Sequence, residues 1–280
     1  MAIMIDRAHI MKQFASYTDE YDSADEKIKL KIDHTYRVAQ LCEQIASSEG
    51  LCEADVELAW LLGMLHDIGR FEQLRRYGTF NDAESIDHAK LGADILFGSE
   101  EKLKDPVSEK QGRESGTETG RIRDYVKESD EDELIETAIR VHSAYRIPEG
   151  LPKRAETLCH ILRDADKIDI LKVNVEVPLE EIYNTTTEAL ETAEVTQAVM
   201  DSFYEHHATL KSIKRTPVDH VVGHISLVYE LVYRESYRIV QEQGYLHKLM
   251  YFKSKNPRTL EQFAKLRAEM ERYLESVERA

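Results

Sequence analysis

Residues 54–66, ADVELAWLLGMLH, decide how this chain folds. Wound at 3.6 residues per turn, their apolar side chains fall on most sides, which describes a helix buried nearly all round at the centre of a bundle. The helix runs into His66-Asp67, and Gly69 just beyond is the expected stop. An ionised carboxylate at the rim of an apolar bundle is costly unless something positive meets it. A divalent cation is one such partner. The plainer alternative is a helix end where His66 caps carbonyls and Asp67 faces water.

Working outward, residues 27–48 carry Ile28, Ile32, Ala39, Cys42 and Ala46 at helical spacing, with charges between. Residues 83–97 predict the next helix, with Ile86, Leu91, Ile95 and Leu96. The texture then changes: 98–120 reads GSEEKLKDPVSEKQGRESGTETG, with almost nothing able to enter a core. It reads as part of a mobile polar insertion, 98–130, that leads into the next helix. Ser129 and Asp130 precede a helix over 131–146, stopped at Ile147-Pro148. A further helix covers 154–172. The segment 179–212 is amphipathic, Pro217 and Asp219 open an apolar helix through about residue 240, and 258–278 forms a last charged helix after Asn256-Pro257. The one short strand candidate is Val173 to Val177. The reading is all-α: a helical core over 1–175, and a helical extension over 176–280 packing on it.

Composition narrows the function. The 280 residues carry a formal charge of −16, which disfavours a nucleic-acid duplex or an anionic membrane as partner. An anionic small molecule is still admissible, since bound cations reverse the field inside one cleft. The three cysteines, Cys42, Cys52 and Cys159, have no CxxC spacing, so neither a disulfide framework nor a zinc-thiolate site is expected. The start, MAIMIDRAHIMKQF, carries charges at Asp6 and Arg7 and no continuous apolar core, and Leu58 to Leu65 is too short to span a bilayer. A cytoplasmic location is expected.

Several polar residues lie on otherwise apolar faces. His88 shares one with Leu91, Gly92 and Ile95; His142 shares one with Ile135 and Ile139; Asp166 follows Leu158 and Leu162. Singly, each histidine reads as a satisfied core residue, and Asp166 as a packing salt bridge to Arg163 or Arg37. Jointly, His34, His66, Asp67, His88, His142 and Asp166 give the order H…HD…H…H…D, with successive gaps of 32, 22, 54 and 24 residues. Each falls on or beside an expected core helix, and bundles gather ligands from several helices on one interior site. Imidazole with carboxylate suits Mn, Fe, Co, Ni or Zn rather than Ca.

In this order the residues resemble the HD-domain superfamily of metal-dependent phosphohydrolases. The matching text is DHTYRVAQL (33–41), WLLGMLHDIGRFEQL (60–74), DHAKLGADIL (87–96), AIRVHSAYRIP (138–148) and ILRDADKIDIL (161–171), so the likeness covers roughly 25–175. It implies an HD-domain helical bundle with additional C-terminal helices. It also implies His34, His66, Asp67 and Asp166 on a first metal, with His88 and His142 on a second that Asp67 bridges. The reaction implied is hydrolysis of a phosphoester, in a nucleotide or another small phosphorylated molecule, by metal-activated water. His142-Ser143 stands where HD-GYP phosphodiesterases carry His-His, no GYP motif occurs, and Arg70 replaces their lysine, so cyclic-di-GMP hydrolysis is not implied.

Arg70, Arg37 and Lys167, each beside a ligand or one turn from it, are candidates to bind phosphate; surface charge is the even alternative. Arg70, Lys167 and Asp67 are the residues expected to serve catalysis. Asp169 reads as either a partner to a ligand or an exposed acid. His220 and His224, four apart, have no third ligand nearby in sequence and read as packing or solvent-side histidines, and His206-His207 as surface. Two other functions stay open: a di-iron oxygenase of similar ligand set, and a non-catalytic nucleotide-binding module. The C-terminal helices would cover the cleft, set substrate choice or form a homodimer.

Overall fold

The computed structural model describes residues 4–22, 24–98 and 120–279. Among them the fold is all-α, with fifteen α-helices, short 3-10 turns and no strand. The chain divides into two compact units, Met1–Arg163 and Asp164–Ala280. None of the three cysteines is in a disulfide. No described helix is long and apolar enough to cross a membrane.

The first unit holds α1 (Arg7–Thr18), α2 (Glu26–Ser48), α3 (Glu53–Leu65), α4 (Ile68–Tyr77), α5 (His88–Phe97), α6 (Ile122–Tyr125), α7 (Asp132–Val141) and the start of α8 (Lys153–Glu176). Helix α3 is the buried centre that its apolar wheel requires: Leu58, Leu61, Leu62, Met64 and Leu65 are wholly inaccessible. It packs against α2 so closely that a Cβ on Gly63 would fall 2.5 Å from Ala39 Cα. Arg7 fastens α1 to both, donating to Glu43 on α2 and Glu57 on α3 at 2.7–2.9 Å.

Gly69 does not end a helix. Helix α3 stops at Leu65, His66 and Asp67 make the break, and α4 begins at Ile68 with Gly69 inside it. The glycine serves close approach: a Cβ there would fall 2.6 Å from Gly92 N and closer still to His88 O, so α4 and α5 cross backbone to backbone. Upstream of α5, 83–87 is a 3-10 turn (Asp82–Glu84) and a cap, since Asp87 accepts from Ala89 N and Lys90 N and starts the helix at His88.

The polar insertion expected over 98–130 falls for 99–119 outside the described residues. From 120 onward it is structured. Helix α6 carries buried Ile122 and Tyr125, Val126 follows them inside, and Asp124 O accepts from the His9 ring of α1 at 2.8 Å. Helix α7 ends at Val141, five residues short of the expected 146. Helix α8 instead runs past 172 to Glu176 and absorbs all of the strand candidate but Val177.

The second unit continues α8 and adds α9 (Leu179–Tyr183), α10 (Thr187–Thr192), α11 (Gln197–Tyr204), α12 (Pro217–Ile225), α13 (Arg234–Gln243), α14 (Tyr245–Met250) and α15 (Pro257–Arg279). The helix expected from Pro217 through about 240 is broken by a 3-10 turn, Ser226–Glu230, and an extended step. Buried Asp164 explains the break, because its Oδ2 takes the backbone N–H groups of Val232 and Tyr233 at 2.9 and 3.2 Å and the Ser236 hydroxyl at 2.7 Å. A carboxylate so placed holds the extended step that leads into α13. The Gln262 amide on α15 likewise pairs with both backbone groups of Val195.

Candidate metal centre

Five of the six expected ligands come together in the first unit, all buried. Their backbone positions explain how. His66 and His142 sit just past the last turns of α3 and α7, while Asp67 and His88 stand at the first turns of α4 and α5. Successive residues of an unbroken helix point about 100° apart. The break at 66–67 therefore lets two neighbours face one interior point. Tyr17 on α1 supports it by donating to Ile68 O at 3.0 Å. His34 arrives from the middle of α2.

Asp67 is the hub. Its Oδ2 lies 3.5 Å from His34 Nε2 and 3.6 Å from His66 Nε2. Its Oδ1 lies 3.5 Å from His88 Nε2 and 3.7 Å from His142 Nε2. Each oxygen of one carboxylate thus faces its own pair of imidazoles. Within the pairs, Nε2 to Nε2 is 3.3 Å for His34 and His66, and 3.1 Å for His88 and His142.

The opposite ring nitrogens fix the tautomers. His66 Nδ1 bonds Gly63 O at 2.8 Å and His142 Nδ1 bonds Ile139 O at 2.7 Å, in each case a carbonyl of the preceding helical turn. A carbonyl only accepts, so Nδ1 carries the proton and Nε2 presents a lone pair inward. His88 Nδ1 meets Asp82 at 2.9 Å. With both Nδ1 atoms protonated, His88 and His142 bring two lone pairs to 3.1 Å, which requires a proton or a cation between them. The donor set of neutral imidazoles, carboxylate and outer hydrogen bonds fits a divalent transition metal.

Electrostatics agree. Burial alone would raise the Asp67 carboxyl, but Lys31, His66, His142 and Arg70 outweigh it and hold it well below the usual range. Burial, assisted by Arg70 and opposed by Asp82, lowers His88 to about 4, so its ring is neutral near pH 7. Burial also opposes ionisation of Asp82, yet His88, Arg70 and Gln73 keep it charged.

The remaining expected residues sit as follows. Arg70 turns one guanidinium nitrogen outward from the hub, to Gln73 Oε1, Phe80 O and Asp82 Oδ1 at 2.7–2.9 Å, while its Nε, 3.6 Å from Asp67 Oδ1, is buried with no hydrogen-bond partner. Arg37 is half-buried on α2. Asp166 and Lys167 lie on α8 in the second unit, both half-buried, three and four residues past Arg163; Asp169 is buried one turn further on.

Two contributors, Lys31 and Asp82, were not singled out from the sequence, and Arg163 was read there only as an ion-pair partner for Asp166. Lys31, on α2 one turn before His34, places Nζ 2.7 Å from Asp67 Oδ2; the i, i+3 spacing from His34 was the available signal. Asp82 sits in a loop six residues before His88, where no periodicity points to it. Arg163 donates to the carbonyls of Val141, His142 and Ala144 at 2.5–3.1 Å, fastening the end of α7. Its guanidinium thus serves backbone, a role its place in α8 does not reveal.

A groove of about 390 Å³ lined by Asn174, Pro178, Leu179, Lys248 and Phe252 belongs to the second unit and includes none of the six expected ligands. In comparisons with known proteins, the family model described as HD domain matches residues 32–171, half of the chain. No curated protein and no solved structure matches.

Proposed function

This chain belongs to the HD domain family, whose members are in general metal-dependent hydrolases, and we propose that it is a phosphohydrolase acting on a nucleotide or another small phosphorylated molecule. In this reading His34, His66, Asp67 and Asp166 would hold one divalent cation, and His88 and His142, with Asp67, would hold a second. One observation carries it: the two oxygens of Asp67 each face a separate pair of imidazole Nε2 atoms. Cations bound there would supply the Lewis acidity that activates water and offsets charge on phosphoryl oxygens.

The chain's own residues do the rest. Gly63 O, Ile139 O and Asp82 hold the imidazole protons on Nδ1, so that Nε2 stays a donor to metal. Lys31 keeps Asp67 ionised, and its ammonium already stands where positive charge is wanted. Arg70 keeps Asp82 ionised and in place, through Nη1; Arg70 Nε and Lys167 are the groups offered to a phosphate.

The test is metal content after loading with Mn or Fe, joined to a phosphate-release screen over nucleotides and simple phosphoesters, with and without O₂. About two metals per chain and release that needs metal but not O₂ is the expected result. Two irons with O₂ uptake and no phosphate release would move the assignment to an oxygenase. Nucleotide bound without turnover would make it a binding module.

A further inference from the structure

The second unit contains a concentration of positive charge that the proposed reaction does not use. Lys214 follows the 3-10 turn Lys211–Ile213 and lies against α12 at Gly223. A Cβ on Gly223 would fall 2.5 Å from Lys214 Cε and closer still to Nζ, so the lysine tip rests directly against the helix backbone at this glycine. His220 and His224 are one turn apart on the same helix, and the Tyr183 ring stacks on both, with centroids at 5.3 and 5.6 Å.

One carboxylate, Asp219, acts on this charge without pairing with it. Among the described residues Lys214 makes no ion pair, although it is half-buried. Asp219 is the nearest acid on α12, and its oxygens are occupied. Oδ1 accepts from Thr196 N at 2.8 Å; Oδ2 accepts from the Thr196 hydroxyl and from Arg215 N and Thr216 N at 2.6–2.9 Å. Burial, together with Lys211, outweighs Asp219 and depresses the Lys214 ammonium to about 8.

The histidines complete the niche. Asn174 Nδ2 donates to Ile170 O, which leaves its Oδ1 to accept the single Tyr183 hydroxyl proton at 2.9 Å. His224 Nδ1, 2.7 Å from the same hydroxyl, must then be the donor to it. His224 Nε2 is left as an acceptor, and Lys214, His220 and Lys211 lie near enough to act on the ring electrostatically. Lys211 and His220 are exposed, so the niche opens to solvent. Two ammonium groups nearby make a metal cation a poor occupant.

We propose that Lys214, Lys211, His220, His224 and Tyr183 form an oxyanion site, made wholly by the second unit, that takes the phosphate or carboxylate group of a small ligand. The Lys214 ammonium is the main attraction, and the Tyr183 ring closes one side.

The test uses the full chain, freed of metal with chelator, at constant ionic strength in chloride. Inorganic phosphate and acetate are titrated calorimetrically into the wild type, Lys214→Met and the double variant His88→Ala/His142→Ala. Lys214→Met should weaken anion binding by about tenfold or more, since it deletes the principal charge, while the double variant should bind as the wild type does. Acetate binding as tightly as phosphate would identify carboxylates as the ligand class; phosphate binding tighter would identify phosphate groups. Binding that survives Lys214→Met, or that is lost only in the double variant, overturns the proposal, as does no binding to the wild type. Thermal unfolding controls for folding: Lys214→Met should hold or raise the midpoint, and a fall would show a structural ammonium instead. Because the metal centre is emptied throughout, loss of the hydrolase reading leaves this result unaffected.

Discussion

Asp67 gathers the site because one carboxylate has two oxygens and the break between α3 and α4 turns both toward imidazoles. Asp67→Asn preserves shape and removes charge. It should lose both cations and all phosphate release, read as metal per chain by mass spectrometry; full metal content would sink the ligand assignment. His88→Ala should lose one of two, since it leaves His34 and His66 in place. Glu72, almost wholly buried on α4, gives a pH prediction. Burial resists its ionisation, but Arg75 and Arg76, each at 2.5 Å, prevail and lower its pKa. The unfolded chain then binds more protons in that window, so this contribution to stability is present above the ordinary glutamate value of about 4.3 and is lost as pH falls below it. Urea unfolding across that range should show Glu72→Gln flattening part of the loss.

Helices meet in this unit at glycines, and two crossings are steric necessities. A methyl on Gly69 would strike the α5 backbone, and one on Gly63 would strike α2. Gly69→Ala and Gly63→Ala should each cost about 3 kcal/mol or more in urea unfolding, the upper end of overpacking effects because backbone cannot rotate away. Gly69→Ala should also weaken metal binding, since the atom it meets is the His88 carbonyl. Gly78 makes the contrast. It closes α4 at φ 68° with open space around it, and Gly78→Asn should stay within about 1 kcal/mol of the wild type. An equal penalty at Gly69 and Gly78 would refute the crossing argument.

For the molecule as a whole, a chain of charge −16 concentrates its inward-facing donors in one buried cluster of the first unit. Filling that cluster should stabilise by mass action, about 2.7 kcal/mol at a hundredfold excess over the dissociation constant. Chelation should therefore lower the unfolding midpoint of the wild type and leave Asp67→Asn unchanged. Protection from hydrogen exchange on adding Mn should rise on α2, α3, α5 and α7, which carry or adjoin the ligands. A midpoint that ignores both metal and chelator would mean the cluster is buried polarity and no more.

The all-α fold and the helices α2, α3 and α15 were legible in the sequence, because apolar period and caps are local properties read within a few turns. The set His34, His66, Asp67, His88 and His142 was legible only jointly: each histidine alone reads as a satisfied core residue, and the order H…HD…H…H is what marked them. Helix ends were not. Gly69 carries a stop signal by composition but lies inside a helix, because the approach of α5 demands a residue without a side chain. The long apolar run after Pro217 breaks at 231–233 because Asp164, remote in sequence, claims its backbone. Lys31, Asp82 and Arg163 join the site through hydrogen bonds between distant segments, for which a single chain offers no periodic trace. The Lys214 niche shows the same division. The sequence displays two histidines four apart, while the stacking of Tyr183, the saturation of Asp219 and the hollow left by Gly223 exist only once the second unit has folded. What the sequence determined by itself was which residues are helical and which polar groups would be buried. The tertiary structure decided which of those groups meet, because partnership depends on where helices stop and how closely they cross.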